Sequence, residues 1–233
     1  HQRKFLKICI SGHDNVAITL GAIPDFLIAS FEASTAISKS DWSLSARFLV
    51  MIPVRCLIHM AVEASKEAIE KSGIDPAEIG TVILATITFP YQTPSGASLL
   101  AELVGAHGAA AYDISAACAG YSYGIAQADA LVRSGTSKYV LVVGGEKLSD
   151  FIDPTDRSIS FLLGDGAGAA IVGPSDHPGI SKSVWGSDGA NWDKVGMTSS
   201  ILDFKEGRAE WPTLIQEGQS VFRWAVWEMA KVA

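Results

Sequence analysis

"AAAYDISAACAGYSYGIAQADALVRSGTSKYVLVVGG", residues 109–145, holds two apolar segments of strand character separated by one long segment of helical period. "AAAYDIS" (109–115) reads as a buried strand. "CAGYSYGIAQADALVRSG" (118–135) places Ile125, Ala128, Leu131 and Val132 on one helix face and stops at Gly135. "KYVLVVGG" (138–145) is a second buried strand. Strand, helix and strand with short connections form a βαβ unit, and such units build a mostly parallel sheet.

The same alternation extends outward. "IHMAVEASKEAIEKSG" (58–73) carries Ala61, Val62, Ser65, Ala68 and Ile69 on one face, with Gly73 as its stop. After the turn "DPAEIG", the β-branched run "TVILATIT" (81–88) predicts a strand covered on both faces. "TPSGASLLAELVGA" predicts a loop and then a helix opening near Ser95. "GDGAGAAIVG" (164–173) lacks the Lys-Ser/Thr of a phosphate loop and precedes a strand, so it reads as a glycine-rich turn into that strand. "GISKSVWGSDG" (179–189) predicts a further strand. "GQSVFRWAVWEMAKVA" (218–233) predicts a helix with a broad apolar surface from Val221, Trp224, Ala225 and Trp227 to Met229. That helix has neither a C-cap nor a following strand, so the sequence reads as cut short. Residues 1–57 differ: "VAITLGAIPDFLIASFEAS" and "ARFLVMIPVRCLIHM" are apolar without a clear period of either 2 or 3.6.

Composition narrows the class. With 48% hydrophobic residues, 18% charged and 22 glycines, the chain reads as a soluble globular enzyme. Its net charge of -7 argues against nucleic-acid or anionic-membrane partners, which require excess Lys and Arg. Cys9, Cys56 and Cys118 form no Cys-x-x-Cys pair or zinc spacing, so a reducing cytoplasm and no metal are expected. The start "HQRKFLK" does not lead into a signal peptide, and no apolar run is long enough to span a bilayer.

Cys118 is the candidate nucleophile. It lies where a strand hands over to a helix, and the amides and dipole at a helix start stabilise a thiolate. Ala116, Ala117, Ala119 and Gly120 leave room for a substrate to approach. Free cysteine is also among the most buried residue types, so local features leave a packed core thiol open as a second reading. Arg157, in "DPTDRS" (153–158), suits either an anion contact or an ordinary surface loop. His1, His13, His59, His107 and His177 all stand in contexts that do not point to catalysis, and no base or oxyanion partner for Cys118 is evident.

"DISAACAGYSYGIAQADALVRSG", "YVLVVGGEKLS", "DPTDRS", "LLGDGAGAAIVG", "GSDG" and "GQSVFRWAVWEMAKVA", in this order, resemble β-ketoacyl-acyl carrier protein synthase III, especially its actinobacterial members. The resemblance covers residues 58–233. It implies a thiolase-like α/β fold of αβαβα layers, with the first half present and the second truncated. It also implies a homodimer and an acyltransferase that works without a cofactor in the cytoplasm, bound to neither nucleic acid nor membrane. Such an enzyme loads an acyl group from acyl-coenzyme A onto a cysteine. It then condenses that group with malonyl-acyl carrier protein, losing carbon dioxide, to start fatty-acid or polyketide synthesis. By this match Cys118 is the acylated residue, and Arg157 packs on the adenine end of coenzyme A. Thr93, in "YQTPSG", shapes the primer pocket across the dimer interface, and its small size implies room for branched or longer acyl groups. Other thiolase-fold enzymes, such as hydroxymethylglutaryl-coenzyme A synthase or plant-type polyketide synthase, share the elbow cysteine but fit the remaining motifs less well. A non-catalytic fragment is the alternative of a different class.

The family's catalytic His and Asn have no counterparts before the chain ends, so acylation is expected to survive better than condensation. The implied domains are an atypical segment at 1–57, a nucleophile-bearing half at 58–175 and the start of a second half at 176–233. In the atypical segment only "SKSDW" is similar to the family, which makes Trp42 the candidate adenine-stacking residue. Met51 is encoded only by ATG and every Ile codon begins AT, so a frame opening on the last base of Met51 reads GAT, aspartate. The family has an acidic pair and small residues there, and part of the segment is therefore read as a frameshifted stretch.

Overall fold

The computed structural model describes residues 16–20, 52–176 and 179–231. Trp42, His1, His13, His177 and most of the atypical N-terminal segment lie outside the described residues. The chain forms two compact units. One runs to Lys147 and resumes at Asp165–Lys182; the other comprises Leu148–Gly164 and the chain from Ser183 onward.

The first unit is a five-stranded sheet with helices on both faces. Its elements are β1 (Val16–Leu20), α1 (Ile52–Ser72), β2 (Ile79–Ala85), α2 (Gly96–Leu103), β3 (Ala110–Ile114), α3 (Gly120–Arg133), β4 (Tyr139–Lys147) and β5 (Asp165–Pro174). The strand order is β1-β5-β4-β2-β3. β2 runs parallel to both β3 and β4, as the βαβ reading requires. β5 is antiparallel to β4 and to β1, so the expected mostly parallel sheet is in fact mixed. No crossover helix lies between β4 and β5, and the chain re-enters the sheet at the end from which it left.

Both faces of β2 are covered, which explains its unbroken apolar run. Val82 and Leu84 join the α1 and α2 side, where Ala61, Ala68, Leu100 and Leu141 pack. Ile83 faces the α3 side with Ala128, Val140, Val142 and Val172. The helices stop where the glycines predict: Gly73 has φ +68° and Gly135 has φ +72°, left-handed positions that glycine occupies without cost.

Four sequence expectations need correction. β2 ends at Ala85, because Thr86, Ile87 and Thr88 turn away to hydrogen-bond Glu146. β3 is the sheet edge and mostly half-buried, although its composition reads as a core strand. Gly166 and Gly168 lie inside β5, paired with Glu146 and Gly144, and do not form a turn ahead of it. Residues 179–188 form no strand; a 3-10 turn follows at Gly189–Asn191, capped by the Asp188 side chain.

The second unit contains β6 (Val195–Met197), α4 (Ile201–Lys205), β7 (Leu214–Gln216) and α5 (Gly218–Met229). β6 and β7 pair antiparallel, and Ser200 with Asp203 closes a reciprocal capping box on α4. Trp211 stacks on Phe151, meets Phe204 edge-on and donates its indole N–H to Asp150 O at 2.9 Å. The broad apolar surface expected of α5 is present, with Phe222, Trp224, Trp227 and Met229 exposed.

Candidate active site

The parallel strands bring three chain crossings to one edge of the sheet. Ala85 at the end of β2 is level with Ile114 on one side and Gly144 on the other. The loops that follow β2 and β3, and the last residues of β4, therefore emerge side by side. In open parallel sheets this carboxyl edge is where ligands bind.

Cys118 emerges there. After Ile114 the chain bends through Ala116, with φ -136°, into Ala117, with φ +44°. A positive φ is uncommon for any residue but glycine, and here it reverses the chain sharply enough to fit a 3-10 turn, Ala117–Ala119, before α3 begins. The free Cys118 thiol is exposed at this elbow. Of the two readings that local sequence left open, the packed core thiol does not hold.

The small residues around it have a packing duty as well. A β-carbon on Gly120 would approach Ala85 Cβ to 3.0 Å, and one on Gly124 would approach Val142 Cγ1 to 2.7 Å. Glycine at both positions lets α3 lie directly on β2 and β4 and thereby fixes the height of Cys118 above the sheet.

Two carboxylates that sequence reasoning did not single out organise the neighbouring loop. Glu146, near the end of β4, accepts hydrogen bonds from Thr88 Oγ1 at 2.7 Å, Thr86 Oγ1 at 3.1 Å and Ile87 N at 3.0 Å. Burial pushes its carboxyl above the ordinary range, and the hydrogen bonds from Thr88, Ile87 and Thr86 oppose that shift. Asp113, on β3, accepts from Gly96 N and Ala97 N, each at 2.8 Å, and so caps the start of α2 from a neighbouring strand. The only sequence signal for Glu146 is an acidic residue closing an otherwise apolar strand.

Thr93 is exposed on the loop between those two anchor points. Arg157 is exposed in the second unit, in a loop shaped by two aspartates. Asp153 accepts from Thr155 Oγ1 at 2.7 Å and Asp156 from Ser158 Oγ at 2.6 Å, and these bonds hold both carboxyls below the usual range. Ile159, fully buried, anchors that loop. His59 is exposed on α1, and His107 Nδ1 lies 2.9 Å from Glu102 at the surface. Among the described residues, no group of three or more His, Cys, Asp or Glu side chains could hold a metal ion. No helix among them is long and apolar enough to cross a membrane.

Residues 112–189 match the sequence model of the family described as 3-Oxoacyl-[acyl-carrier-protein (ACP)] synthase III. The chain is 54% identical over 200 residues to a β-ketoacyl-[acyl-carrier-protein] synthase III of Kocuria rhizophila, covering 76% of this chain and 56% of that protein. A Streptomyces glaucescens protein of the same name is 49% identical over 175 residues, covering 75% of this chain and 53% of its own length. Among solved structures, the priming β-ketosynthase of the R1128 polyketide biosynthetic pathway superposes with a TM-score of 0.73 at 45% identity, over 76% of this chain and 53% of that one. The 3-oxoacyl-[acyl-carrier-protein] synthase III of Aquifex aeolicus gives 0.64 at 35% identity, over 76% and 54%. The chain thus spans about half the length of the curated relatives it matches.

Proposed function

From the premise that three-quarters of this chain has the sequence and thiolase-like fold of the β-ketoacyl-[acyl-carrier-protein] synthase III family, we propose that it provides the acyl-accepting half of an initiating condensing enzyme. The observation that carries this reading is the exposed Cys118 thiol, held on a positive-φ elbow between a strand and a long helix. In the first step the Cys118 thiolate attacks the thioester carbonyl of an acyl-coenzyme A. The carbon–sulfur bond to coenzyme A breaks, the coenzyme leaves as its thiolate and takes up the proton that Cys118 gave up, and the acyl group remains as a thioester on the protein. In the second step malonyl-acyl carrier protein loses carbon dioxide. The carbanion so formed attacks the Cys118 thioester, giving β-ketoacyl-carrier protein and freeing the cysteine.

Arg157 serves the adenine end of coenzyme A in this reading, because a planar, permanently charged guanidinium can both stack and pair with phosphate. Thr93 borders the primer pocket, and its small side chain favours branched or longer acyl groups. Residues 58–175 are the nucleophile-bearing half, and residues 176–233 open the second. The reaction needs no metal or organic cofactor, and the site of action is the cytoplasm. Two copies assemble through the β3 edge, the last strand of the sheet on that side among the described residues.

Incubation with isotopically labelled acetyl- and isobutyryl-coenzyme A, followed by digestion and mass spectrometry, tests the reading. An acyl label on the peptide bearing Cys118 is the expected result. Protein that remains unlabelled with both primers removes the proposal.

A further inference from the structure

The loop from Thr86 to Ser95 joins β2 to α2, and it is held at both ends by carboxylates from the strands that flank β2. At its start, Glu146 of β4 takes three donors: the hydroxyls of Thr86 and Thr88 and the amide of Ile87. The same threonine oxygens also tie the loop to the backbone. Thr88 Oγ1 accepts the Lys147 amide at 2.8 Å, and Thr86 Oγ1 accepts the Thr88 amide at 3.1 Å. The carboxylate accepts from both hydroxyls and from the Ile87 amide, so a side-chain amide in its place would turn a donor toward one of these donors. Thr86 and Thr88 are both buried, so water does not replace a lost partner cheaply.

At the far end Asp113 of β3 holds the first two amides of α2. The middle of the loop folds back on its own exit: a β-carbon at Gly96 would lie 2.9 Å from Leu84 Cδ2 and 3.1 Å from Phe89 Cδ2. Between these fixed points Pro90 to Pro94, with Thr93 among them, are exposed.

We propose that Glu146 and Asp113 are positioning residues that clamp the 86–95 loop from two sides, and that the Glu146 end of this clamp sets which acyl primers Cys118 accepts. The selectivity part rests on the functional reading above; the clamp itself rests on the hydrogen bonds alone. A pocket wall on a rigid loop discriminates between primers differing by a methyl branch, whereas a wall that can yield does not.

The test uses Glu146→Gln, which keeps the shape but turns one acceptor into a donor facing donors, in the full-length protein. Thr88→Val, which keeps the shape but removes one hydroxyl, is the second variant if the first fails to fold, and Thr88→Ser is its rescue. Two quantities are read: amide exchange across residues 86–95, and the ratio of Cys118 acylation rates with isobutyryl- and acetyl-coenzyme A. Expected are faster exchange confined to that loop and a shift of the rate ratio by about tenfold, the scale of one methyl group in a pocket, with Thr88→Ser close to the parent protein. Equal loss of both rates with an unchanged ratio overturns the selectivity role. Unchanged exchange at Ile87 and Thr88 overturns the clamp. If the parent protein accepts neither primer, the functional reading fails, and the exchange measurement still decides whether the clamp exists.

Discussion

Gly124 of α3 lies against Val142 of β4 so closely that a β-carbon on the glycine would stand 2.7 Å from Val142 Cγ1. No side chain fits that gap without moving the helix or the strand. Gly124→Ala should therefore cost about 1–3 kcal/mol in overpacking, of which the better helix propensity of alanine returns about 1 kcal/mol, for a net destabilisation of up to about 2 kcal/mol. Urea unfolding measures the difference. A variant as stable as the parent would show that α3 does not sit this close to the sheet.

Ala117 makes the elbow with φ +44°. Replacing it by valine puts a β-branched side chain into a left-handed conformation and should lower stability by at least about 1 kcal/mol, while glycine relieves a cost of similar size. Thermal unfolding of Ala117→Val and Ala117→Gly should therefore move in opposite directions. If both fall equally, the elbow carries no strain.

Asp113 holds two α2 amides that no earlier turn can satisfy. Asp113→Ala should cost about 1–2 kcal/mol, the scale of a lost helix cap. Faster hydrogen exchange at Gly96 and Ala97 should accompany it, and protection of those two amides at the parent level would contradict the cap.

Burial pushes the Tyr121 phenol from 10.0 up to about 12. A group whose pKa is raised on folding contributes stability that is fully present below its unfolded value, here about pH 10, and is lost as pH rises through the folded value. The parent protein should therefore lose stability between pH 10 and 12 more steeply than Tyr121→Phe. Denaturant midpoints across that range supply the check; parallel curves would place Tyr121 in contact with water.

The βαβ core was legible because both of its periods are strong. Val82 to Leu84 and Val140 to Val143 are apolar on both faces, and Gly73 and Gly135 punctuate their helices. The edge position of β3 was not legible, since Ala110 to Ile114 reads the same whether a neighbour strand covers it or not. The segment 179–188 misled through Val184 and Trp185, apolar residues that stand exposed in the structure. For Cys118, sequence supplied the helix start and the small neighbours, whereas the positive φ at Ala117 that presents the thiol belongs to an alanine and leaves no mark on the sequence. Glu146 and its threonines are about 60 residues apart, with separations of 58–60. Local pattern cannot join residues so distant; only the parallel pairing of β2 with β4 does.

Lys147 and Asp165 face each other as the last pair of the β4–β5 ladder, and residues 148–164 leave and return through that single gate. The entropy of closing such an excursion grows only logarithmically with its length, by about 0.6 kcal/mol per doubling. Strand pairing at the heart of the sheet is thus insulated from the size of the segment that carries Arg157. Insertions or deletions there would be absorbed as loop entropy, leaving the β4–β5 register in place.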